Sequence, residues 1–511
     1  MNSRNKLWLP LVGIVTAVGC WGDGLDTADI SETSAVLRFR GGCNNGDCCV
    51  RAQIGMCGDG DPSNAFNTCA ISSLTNVQTV FETCWAAGLT VDYPTLGGIS
   101  VTGLTPGKKY GWYVQGRDVS SPDWLNESLD KDFFGNDCAP QSFVTLPDEA
   151  RPAAPTVASA ASETDEGFVA WGTAAEGGRD DGLTASLNGK IVWMFGDTAV
   201  TPGLVDIIVS SSSGYANLVP GDTNAAKAIT GQYNGFGMPV EFIKRTADDG
   251  PLEEGWRHVT WPSGAVTVGT SPNQTAFVFF GKMEGNGMYN VSKGTFVDTY
   301  RSTGGIPNAQ TGGERRMIHP PATEGSITYH PSGHTDATYA YFLGIRSVAG
   351  ANGLTANEDE LYLARAKLVL MADGWPEFTV PEKWEYWTSG TSWSSEPTAA
   401  AVWKNIRGHA ASHATMGMVG GKMILVAQQF MGNAGDICAI TSFPAGPCSD
   451  WKTVRNTADN KDAEGKNGFG NYFFSIHPEL TSGNTMVLSY SNMNVPLGVE
   501  QNIRVHKVTL Q

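Results

Sequence analysis

Residues 178–198 read GRDDGLTASLNGKIVWMFGDT, and this stretch decides the fold. Two aspartates, Asp180 and Asp181, precede a short alternating run, the pair Asn188-Gly189 reverses the chain, and an apolar run follows. Asn-Gly between two such runs is a strong signal for a β-hairpin with a tight turn. The stretch therefore predicts two antiparallel strands with acidic residues at the entry to the first strand.

The second strand of this hairpin has four counterparts further along the chain. Comparable apolar runs occupy residues 189–196, 274–281, 337–344, 421–428 and 483–490. A repeated hairpin unit indicates the blades of a β-propeller, and intervals of about 60 to 85 residues require long inserted loops. We predict a five-bladed β-propeller over residues 164–511, with the strand at 502–508 closing the ring against the strand near Phe168.

The composition favours an all-β protein. The chain has 511 residues, of which 41% are hydrophobic, with 62 Gly and 26 Pro but no collagen-like period. Such a chain can bury large cores and contains many turns. Its formal charge of −17 disfavours nucleic acid as a partner, because that binding depends on clustered Lys and Arg. We expect a monomer with no cofactor. A calcium ion in the cavity is the alternative, and no loop of oxygen ligands of EF-hand type supports it.

The N-terminus resembles an export signal. The apolar run over residues 7–19, at about 13 residues, is too short to span a bilayer as a helix. The tetrad AVGC at 17–20 resembles a bacterial lipobox, in which the cysteine is diacylated and becomes the mature N-terminus. The resemblance implies a signal peptide at 1–19, lipidation of Cys20, a tether at 20–30 and a lipoprotein anchored in the membrane of the cell envelope. A plain secretory signal, giving a secreted protein, is the alternative.

Export implies an oxidising compartment, in which cysteines pair. Of the ten cysteines, nine follow the lipobox residue if Cys20 is set aside. Cys438 and Cys448 are close in sequence and are predicted to form a disulfide. The other seven, which all precede residue 140, are an odd number, so at least one is free or pairs elsewhere.

A separate β-module is predicted before the propeller. Residues 99–110, ISVTGLTPGKKY, resemble the E–F corner of fibronectin type III domains, where a tyrosine caps the turn. We expect a small disulfide-containing fibronectin type III-like β-sandwich over 31–147, with a cysteine-rich insert, serving as a spacer or an adhesion module. The Pro- and Ala-rich segment 148–163 is predicted to be a linker.

Residues at the start of the innermost strand of each blade should converge on one cavity. The residues at these positions are Asp180 and Asp181, Trp261, Glu324, His413, and the run from Tyr472 to His477. Glycosidic bond hydrolysis needs two carboxyl groups that face each other across the bound sugar. We therefore predict Asp181 as base or nucleophile and Glu324 as acid. The predicted substrate-binding residues are Asp180, Trp261, His413, Tyr472 and His477.

The C-terminal part also resembles a known family through an ordered set of motifs. The motifs are DG at 181–182, FGDT at 195–198, WP at 261–262, LYLAR at 361–365, WEYW at 384–387, Trp393, GP at 446–447, Trp451 and HP at 477–478. They resemble the five-bladed propeller family known as a domain of unknown function and associated with arabinan-degrading glycoside hydrolases. The resemblance covers roughly residues 165–511 and implies an enzyme acting on a polysaccharide.

One departure from that family leaves an alternative open. Where an acidic residue is expected at the start of blade four, this chain has SHAT at 412–415. A propeller that binds a glycan or a protein without catalysis is therefore the alternative function.

Overall fold

The fold is seen in a computed structural model. The described residues are 26–28, 34–38, 40–42, 48–57, 74–85, 90–92, 99–106, 108–118, 141–144, 153–158, 163–170, 176–200, 207–234, 238–250, 256–286, 289–350, 353–406, 409–429, 434–456, 472–492 and 502–511. Within them the regular structure is mostly β-strand, with one short α-helix, α1 (Thr223–Lys227), and four 3₁₀ helices of three residues each, so the all-β prediction is confirmed. The predicted signal peptide and Cys20 lie outside these residues. In the part that is described, no helix has the length and apolar character needed to cross a bilayer.

The N-terminal part forms two antiparallel sheets and a short two-stranded ribbon. Its strands are β1 (Asp26–Ala28), β2 (Ser34–Arg38), β3 (Arg40–Gly42), β4 (Cys48–Cys57), β5 (Leu74–Trp85), β6 (Thr90–Asp92), β7 (Ile99–Thr102), β8 (Lys109–Asp118) and β9 (Gln141–Val144). One sheet has the order β1-β2-β7, the other β5-β4-β8-β9, and β3 pairs with β6. Leu37, Ile54, Val101 and the fully buried Trp112 belong to one core, so the two sheets pack face to face.

Two local features hold this module together. The backbone N–H of Thr105 donates to the hydroxyl oxygen of Tyr110 over 2.8 Å, which ties the predicted corner to its tyrosine. Cys49 and Cys84 lie opposite each other on β4 and β5 and form a disulfide. The assignment of the module to the fibronectin type III class stays a prediction.

The remaining strands form five antiparallel sheets, which we call blades 1 to 5 in chain order, and a short two-stranded ribbon that lies in the chain between the last two strands of blade 2. The strands are β10 (Glu163–Phe168), β11 (Glu176–Leu187), β12 (Lys190–Val200), β13 (Ile207–Val209), β14 (Ser212–Asn217), β15 (Thr230–Gly231), β16 (Arg257–Val268), β17 (Thr275–Asn286), β18 (Tyr289–Tyr300), β19 (Ser302–Thr303), β20 (Ile306–Pro307), β21 (Arg315–His319), β22 (Ile327–Thr335), β23 (Tyr339–Gly350), β24 (Gly353–Ala356), β25 (Glu360–Lys367), β26 (Glu385–Ser389), β27 (Ser392–Ser394), β28 (Val402–Asn405), β29 (His409–Val419), β30 (Lys422–Gln429), β31 (Ala434–Ile440), β32 (Lys452–Asn456), β33 (Tyr472–Ile476), β34 (Thr485–Asn492) and β35 (Asn502–Thr509). Blade 1 contains β11 to β15, blade 2 contains β16, β17, β18 and β21, and blade 3 contains β22 to β28. Blade 4 contains β29 to β32, and blade 5 has the order β10-β35-β34-β33.

The five blades form a closed ring, which is the arrangement of a β-propeller. The first strands touch in sequence: β11 contacts β16, β16 contacts β22, β22 contacts β29, β29 contacts β33, and β33 contacts β11. The ring is closed within blade 5, where β10 pairs antiparallel with β35 and Phe168 lies opposite Arg504. The prediction that residues 502–508 pair with the strand near Phe168 is therefore confirmed.

Each blade is buried on both faces by its neighbours. Along β12, Ile191, Trp193 and Phe195 pack in a core shared with blade 5, whereas Val192 and Met194 pack in a core shared with blade 2. Successive side chains of a strand point to opposite faces, so both sets must be apolar. This double burial explains the unbroken apolar run of 191–195, and equivalent cores lie between the other blades.

The turn at 188–189 has the geometry that its sequence predicts. Asn188 and Gly189 have φ angles of 51° and 79°, as both central residues of a type I′ hairpin turn require. The Asn188 side chain also donates to Ser302 Oγ over 2.6 Å and accepts from the Gln274 amide over 3.0 Å. The turn therefore links blade 1 to blade 2 as well as reversing the chain.

The closing strand should carry a large share of the stability of the ring. We expect Ile503→Ala to destabilise the protein by about 2 to 4 kcal/mol, because Ile503 is fully buried between blades 5 and 1. Urea unfolding monitored by tryptophan fluorescence measures the change. The matched control is Ile306→Ala, whose side chain is 54% exposed and whose loss should change stability by less than about 0.5 kcal/mol. Equal effects of the two substitutions would contradict this account.

Candidate active site in the central cavity

A cavity of about 330 Å³ lies where the first strands of the five blades converge. All five blades contribute to its wall. The lining residues are Asp180, Asp181, Leu183, Trp261, Pro262, Ser263, Gly281, Met283, Thr295, Thr328, Tyr329, His330, Ser412, His413, Ala414, Thr415 and Phe473. We call this space the central cavity. It brings together four of the predicted site residues, Asp180, Asp181, Trp261 and His413, whose roles stay predictions.

Asp181 is held in an unusual backbone conformation. Its φ is 67°, the next residue Gly182 has φ 103°, and the pairing of β11 with β12 shifts register on both sides of Asp181. A bulge of this kind re-aims a side chain, and a left-handed non-glycine residue is a strained feature that clusters at functional sites. Gly196 makes room for the carboxyl group, because a Cβ at that position would lie 2.5 Å from Asp181 Oδ2.

The carboxyl group of Asp181 is in an environment that favours its neutral form. Part of the residue reaches the cavity, but protein atoms surround the carboxyl, and this desolvation raises its pKa well above the usual value of 3.8. The nearby charges of Asp180 and Asp197 raise the pKa further. A carboxylic acid in such a setting can donate a proton at a pH where an exposed aspartate cannot.

Asp197 is the third carboxyl of this group and does not line the cavity. It is 7% exposed, and burial raises its pKa, while Arg257 and the indole of Trp261 act in the opposite direction. The Arg257 guanidinium lies 3.3 to 3.4 Å from its two oxygens. Asp197 therefore holds an ion pair with blade 2 beside Asp181.

Blade 5 supports the strained backbone from behind. Ser491 Oγ donates to the carbonyl of Asp181 over 3.3 Å, and Ser489 Oγ donates to the carbonyl of Gly182 over 3.2 Å. On the other side, a Cβ on Gly182 would lie 2.7 Å from Ile503 Cγ2, so the closing strand packs directly against this glycine. The position of Asp181 thus depends on the closure of the ring.

His477 belongs to this support and not to the cavity wall, which corrects its predicted convergence on the cavity. The side chain is fully buried, with Nε2 2.7 Å from Ser489 Oγ and Nδ1 2.7 Å from Thr184 Oγ1. Burial lowers its pKa to about 3, so the ring is neutral.

Glu324 also lies outside the cavity, which corrects its predicted convergence with Asp181. Its side chain is exposed, in a turn where Ser326 N donates to Thr323 O over 3.0 Å. The first strand of blade 3 begins only at Ile327, and it is Thr328, Tyr329 and His330 that line the cavity. The residue type was typical of a catalytic acid, but its position is that of a turn residue.

Two histidines face the cavity from blades 3 and 4. His413 packs against Phe473 with the ring centres 4.9 Å apart, and burial lowers its pKa to about 4. His330 Nε2 lies 3.2 Å from the carbonyl oxygen of Ala414, and burial lowers the pKa of this histidine as well. Both rings are therefore uncharged near neutral pH and can bind polar groups of a neutral ligand.

Three further residues shape this wall: Phe473 belongs to the run from Tyr472 to His477 that was predicted at the cavity, whereas Tyr329 and His330 were not predicted. Phe473, with φ 61°, lines the cavity directly after Tyr472, whose predicted role in substrate binding stays a prediction. Tyr329 and His330 were missed because the entry to blade 3 was placed too early in the sequence. The bulge in β29 between Ala410 and Thr415, which presents Ser412 and His413, has no sequence signal that we recognise.

Among the described residues, no three His, Cys, Asp or Glu side chains are grouped so as to hold a metal ion. The predicted disulfide Cys438–Cys448 is present in blade 4. It joins β31 to the segment that follows this strand, and neither cysteine lines the cavity.

A closed ring of antiparallel sheets around a central cavity defines a β-propeller protein. The chain belongs to the family described as a domain of unknown function (DUF5005), whose profile matches residues 242–506, just over half of the chain. A search of curated proteins finds no match.

Solved structures with a similar fold include several glycoside hydrolases. An α-L-arabinofuranosidase from Podospora anserina, in complex with cellotriose, is 11% identical and covers 71% of this chain and 98% of its own, with a TM-score of 0.35. A family 117 glycoside hydrolase from Zobellia galactanivorans is 12% identical and covers 68% of this chain and 90% of its own, with a TM-score of 0.37. A β-xylosidase/α-arabinofuranosidase from a compost metagenome is 14% identical and covers 68% and 95%, with a TM-score of 0.36. At this distance the likenesses assign neither a substrate nor a residue.

We expect Asp181→Asn to raise the melting temperature, and to raise it more near pH 8 than near pH 4. The pKa of Asp181 is raised in the folded state. The neutral carboxyl group therefore stabilises the folded protein fully below the usual pKa of 3.8, and this stabilisation is lost as the pH rises through the folded-state pKa. Asparagine cannot ionise and tolerates the left-handed backbone. Thermal unfolding across this pH range measures the effect.

Asp336→Asn is the control of opposite sign. Burial alone would raise the pKa of Asp336, but bonds from the amides of Thr338 and Tyr339 and from the Tyr341 hydroxyl lower it overall. This substitution should therefore cost more stability at high pH than at low pH. A pH-independent effect of Asp181→Asn would show that its carboxyl is not destabilised by ionisation.

Proposed function

We propose that the protein is a glycoside hydrolase that acts on a polysaccharide bound in the central cavity. The observation that supports this most is Asp181, a cavity-lining carboxyl group on a strained backbone, desolvated and next to two further aspartates. Strain and a strongly perturbed pKa in a concave site are together typical of catalytic groups. An arabinan-like polymer is the first substrate to test, given the sequence motifs.

In this proposal Asp181 is the general acid, not the base or nucleophile that the sequence suggested. Its raised pKa keeps the carboxyl protonated in a range where it can transfer its proton to the glycosidic oxygen. Trp261 and Phe473 offer aromatic faces on which a sugar ring can stack, and His330 and His413 can bond to hydroxyl groups. The site would thus bind a neutral ring and protonate its leaving group.

A second candidate function is glycan binding without hydrolysis. The observation that favours it is that the described cavity wall carries carboxyl groups only in blade 1, with histidines in blades 3 and 4. Glycosidases usually place their two carboxyl groups on either side of the scissile bond. The two functions differ in whether a bound polysaccharide is cleaved.

Turnover on a panel of polysaccharides separates these functions. We expect wild-type protein to release reducing ends from at least one polymer, and Asp181→Asn to lower kcat by about 10² to 10⁴ while binding, measured by isothermal titration calorimetry, is retained. Glu324→Gln is the control, since Glu324 is exposed and outside the cavity, and its activity should equal that of wild type. Binding without cleavage by wild-type protein would favour the second function, and full activity of Asp181→Asn would refute the role of Asp181.

We further propose that the protein is exported and anchored at the cell envelope through Cys20, with the N-terminal module as a spacer. The support is the lipobox-like tetrad at residues 17–20. Replacing Cys20 by Ala should abolish incorporation of labelled palmitate and move the protein from the membrane fraction to the soluble fraction. Retention of Cys20→Ala in the membrane fraction would contradict lipid anchoring.

A further inference from the structure

Phe473 is a bulky residue held in a left-handed backbone conformation at the wall of the central cavity. Among the described lining residues other than glycine, only Phe473, with φ 61°, and Asp181, with φ 67°, have a positive φ. For a bulky residue this conformation is a genuine outlier, and such strain clusters at functional sites. The strands that carry the two residues, β33 and β11, contact each other. Both strained positions of the wall therefore lie on neighbouring first strands.

A bulge in β33 accompanies this conformation. The pairing of β33 with β34 shifts register between Tyr472 and Ser475, so that two residues of β33 stand opposite one residue of β34. Of these two, Phe474 is fully buried in the core between blades 4 and 5, whereas Phe473 lines the cavity. A bulge re-aims a side chain and takes backbone groups out of the ladder. The N–H of Phe473 therefore needs an acceptor from outside its own sheet.

That acceptor is a side chain of blade 4. The backbone N–H of Phe473 donates to Gln428 Oε1 over 2.8 Å. Gln428 lies on β30 opposite Ala410, where the pairing of β29 with β30 is interrupted. Gln428 is therefore next to the bulge of β29 and bonded to the bulge of β33. These are the two bulges that present His413 and Phe473 to the cavity.

The ring of Phe473 connects two parts of the wall. On one side it packs against His413 of blade 4, with the ring centres 4.9 Å apart and the ring planes inclined at 57°. On the other side it packs against the core that contains Leu183, a lining residue two positions from Asp181. An aromatic face beside a few polar groups is the usual composition of a small-ligand site. A sugar ring stacked on Phe473 would lie between the acid and the histidine.

We propose that Gln428 is a positioning residue that sets the affinity of the site for a sugar ring, by holding Phe473 as the surface on which that ring stacks. This inference rests on the proposed function, since it takes the ligand to be a glycan. Gln428 is not one of the described lining residues, so it acts through Phe473. Without this bond the backbone of Phe473 would relax toward a negative φ, and its ring would leave the wall.

The test compares Gln428→Met with Gln428→Glu in the full chain. Methionine has nearly the length of glutamine but no oxygen to accept from Phe473 N, whereas glutamate keeps such an oxygen. We expect Gln428→Met to raise KM, and the Kd measured by isothermal titration calorimetry, about tenfold while kcat stays within about twofold of wild type. Gln428→Glu should bind within about threefold of wild type.

Phe473→Asn is the second variant, because asparagine tolerates a left-handed backbone and removes the ring. It should raise Kd at least as much as Gln428→Met does. The double variant should bind no more weakly than Phe473→Asn alone, since the two substitutions remove the same interaction. Independent losses that add up would contradict the positioning role.

Gln274→Met is the matched control. Gln274 Oε1 accepts from the backbone N–H of Asn188, whose φ is 51°, so this glutamine also holds a left-handed residue of the preceding blade. Neither Gln274 nor Asn188 is a described lining residue of the cavity. Gln274→Met should lower the melting temperature and leave KM and Kd unchanged.

The outcomes separate this inference from the function on which it rests. If wild-type protein neither binds nor cleaves any polymer, both fail together. If it binds without cleavage, the Kd values decide in the same way as KM. If a polymer is bound and cleaved but Gln428→Met lowers kcat and melting temperature together at unchanged KM and Kd, Gln428 has only a structural role. The inference is then wrong and the hydrolase function stands.

Discussion

The pairing of β10 with β35 is the constraint on which the rest of the structure depends. It completes blade 5 with a strand from the other end of the domain, and only a closed ring keeps the five first strands around one cavity. The same closing strand places Ile503 against Gly182, one residue from Asp181. Ring closure and site geometry are therefore set by the same side chains, and a loosened ring would release the strained backbone at Asp181.

The site itself works against the stability of the ring. Three carboxyl groups, those of Asp180, Asp181 and Asp197, lie close enough to raise the pKa of Asp181, while Arg257 pairs with Asp197. Packing on both faces of every blade supplies the apolar burial that offsets this repulsion and the left-handed backbone. Such a combination persists in folded proteins when the surrounding structure over-determines it, as the serines of β34 and Ile503 do here.

Much of the fold could be predicted because it is written in local patterns. The Asn188-Gly189 turn and the apolar second strands have direct sequence signals, and they place β12, β17, β23, β30 and β34 correctly. The aspartates at 180 and 181 were found for the same reason, since they enter a recognisable hairpin. Glu324 failed because a turn residue and a strand-entry residue look alike in sequence, and three residues of error at a strand start move a side chain out of the cavity. The position of His477 was predicted wrongly because its burial depends on contact with Thr184, which lies 293 residues away in the sequence.

Glu358 shows why strand-entry positions alone do not define a propeller site. A bulge in β29 turns the backbone N–H of Ser412 away from its strand partner, and a donor freed in this way needs another acceptor. A neutral acceptor would satisfy that donor, so a carboxyl group is more than the hydrogen bond requires, and burying it has a cost in desolvation. The Glu358 carboxyl group, in the segment that precedes β25 of blade 3, thereby fixes the backbone of Ser412, a residue of blade 4 that lines the cavity. The cavity wall on this side of the ring is therefore built by a contact between two blades, and neither blade contains it alone.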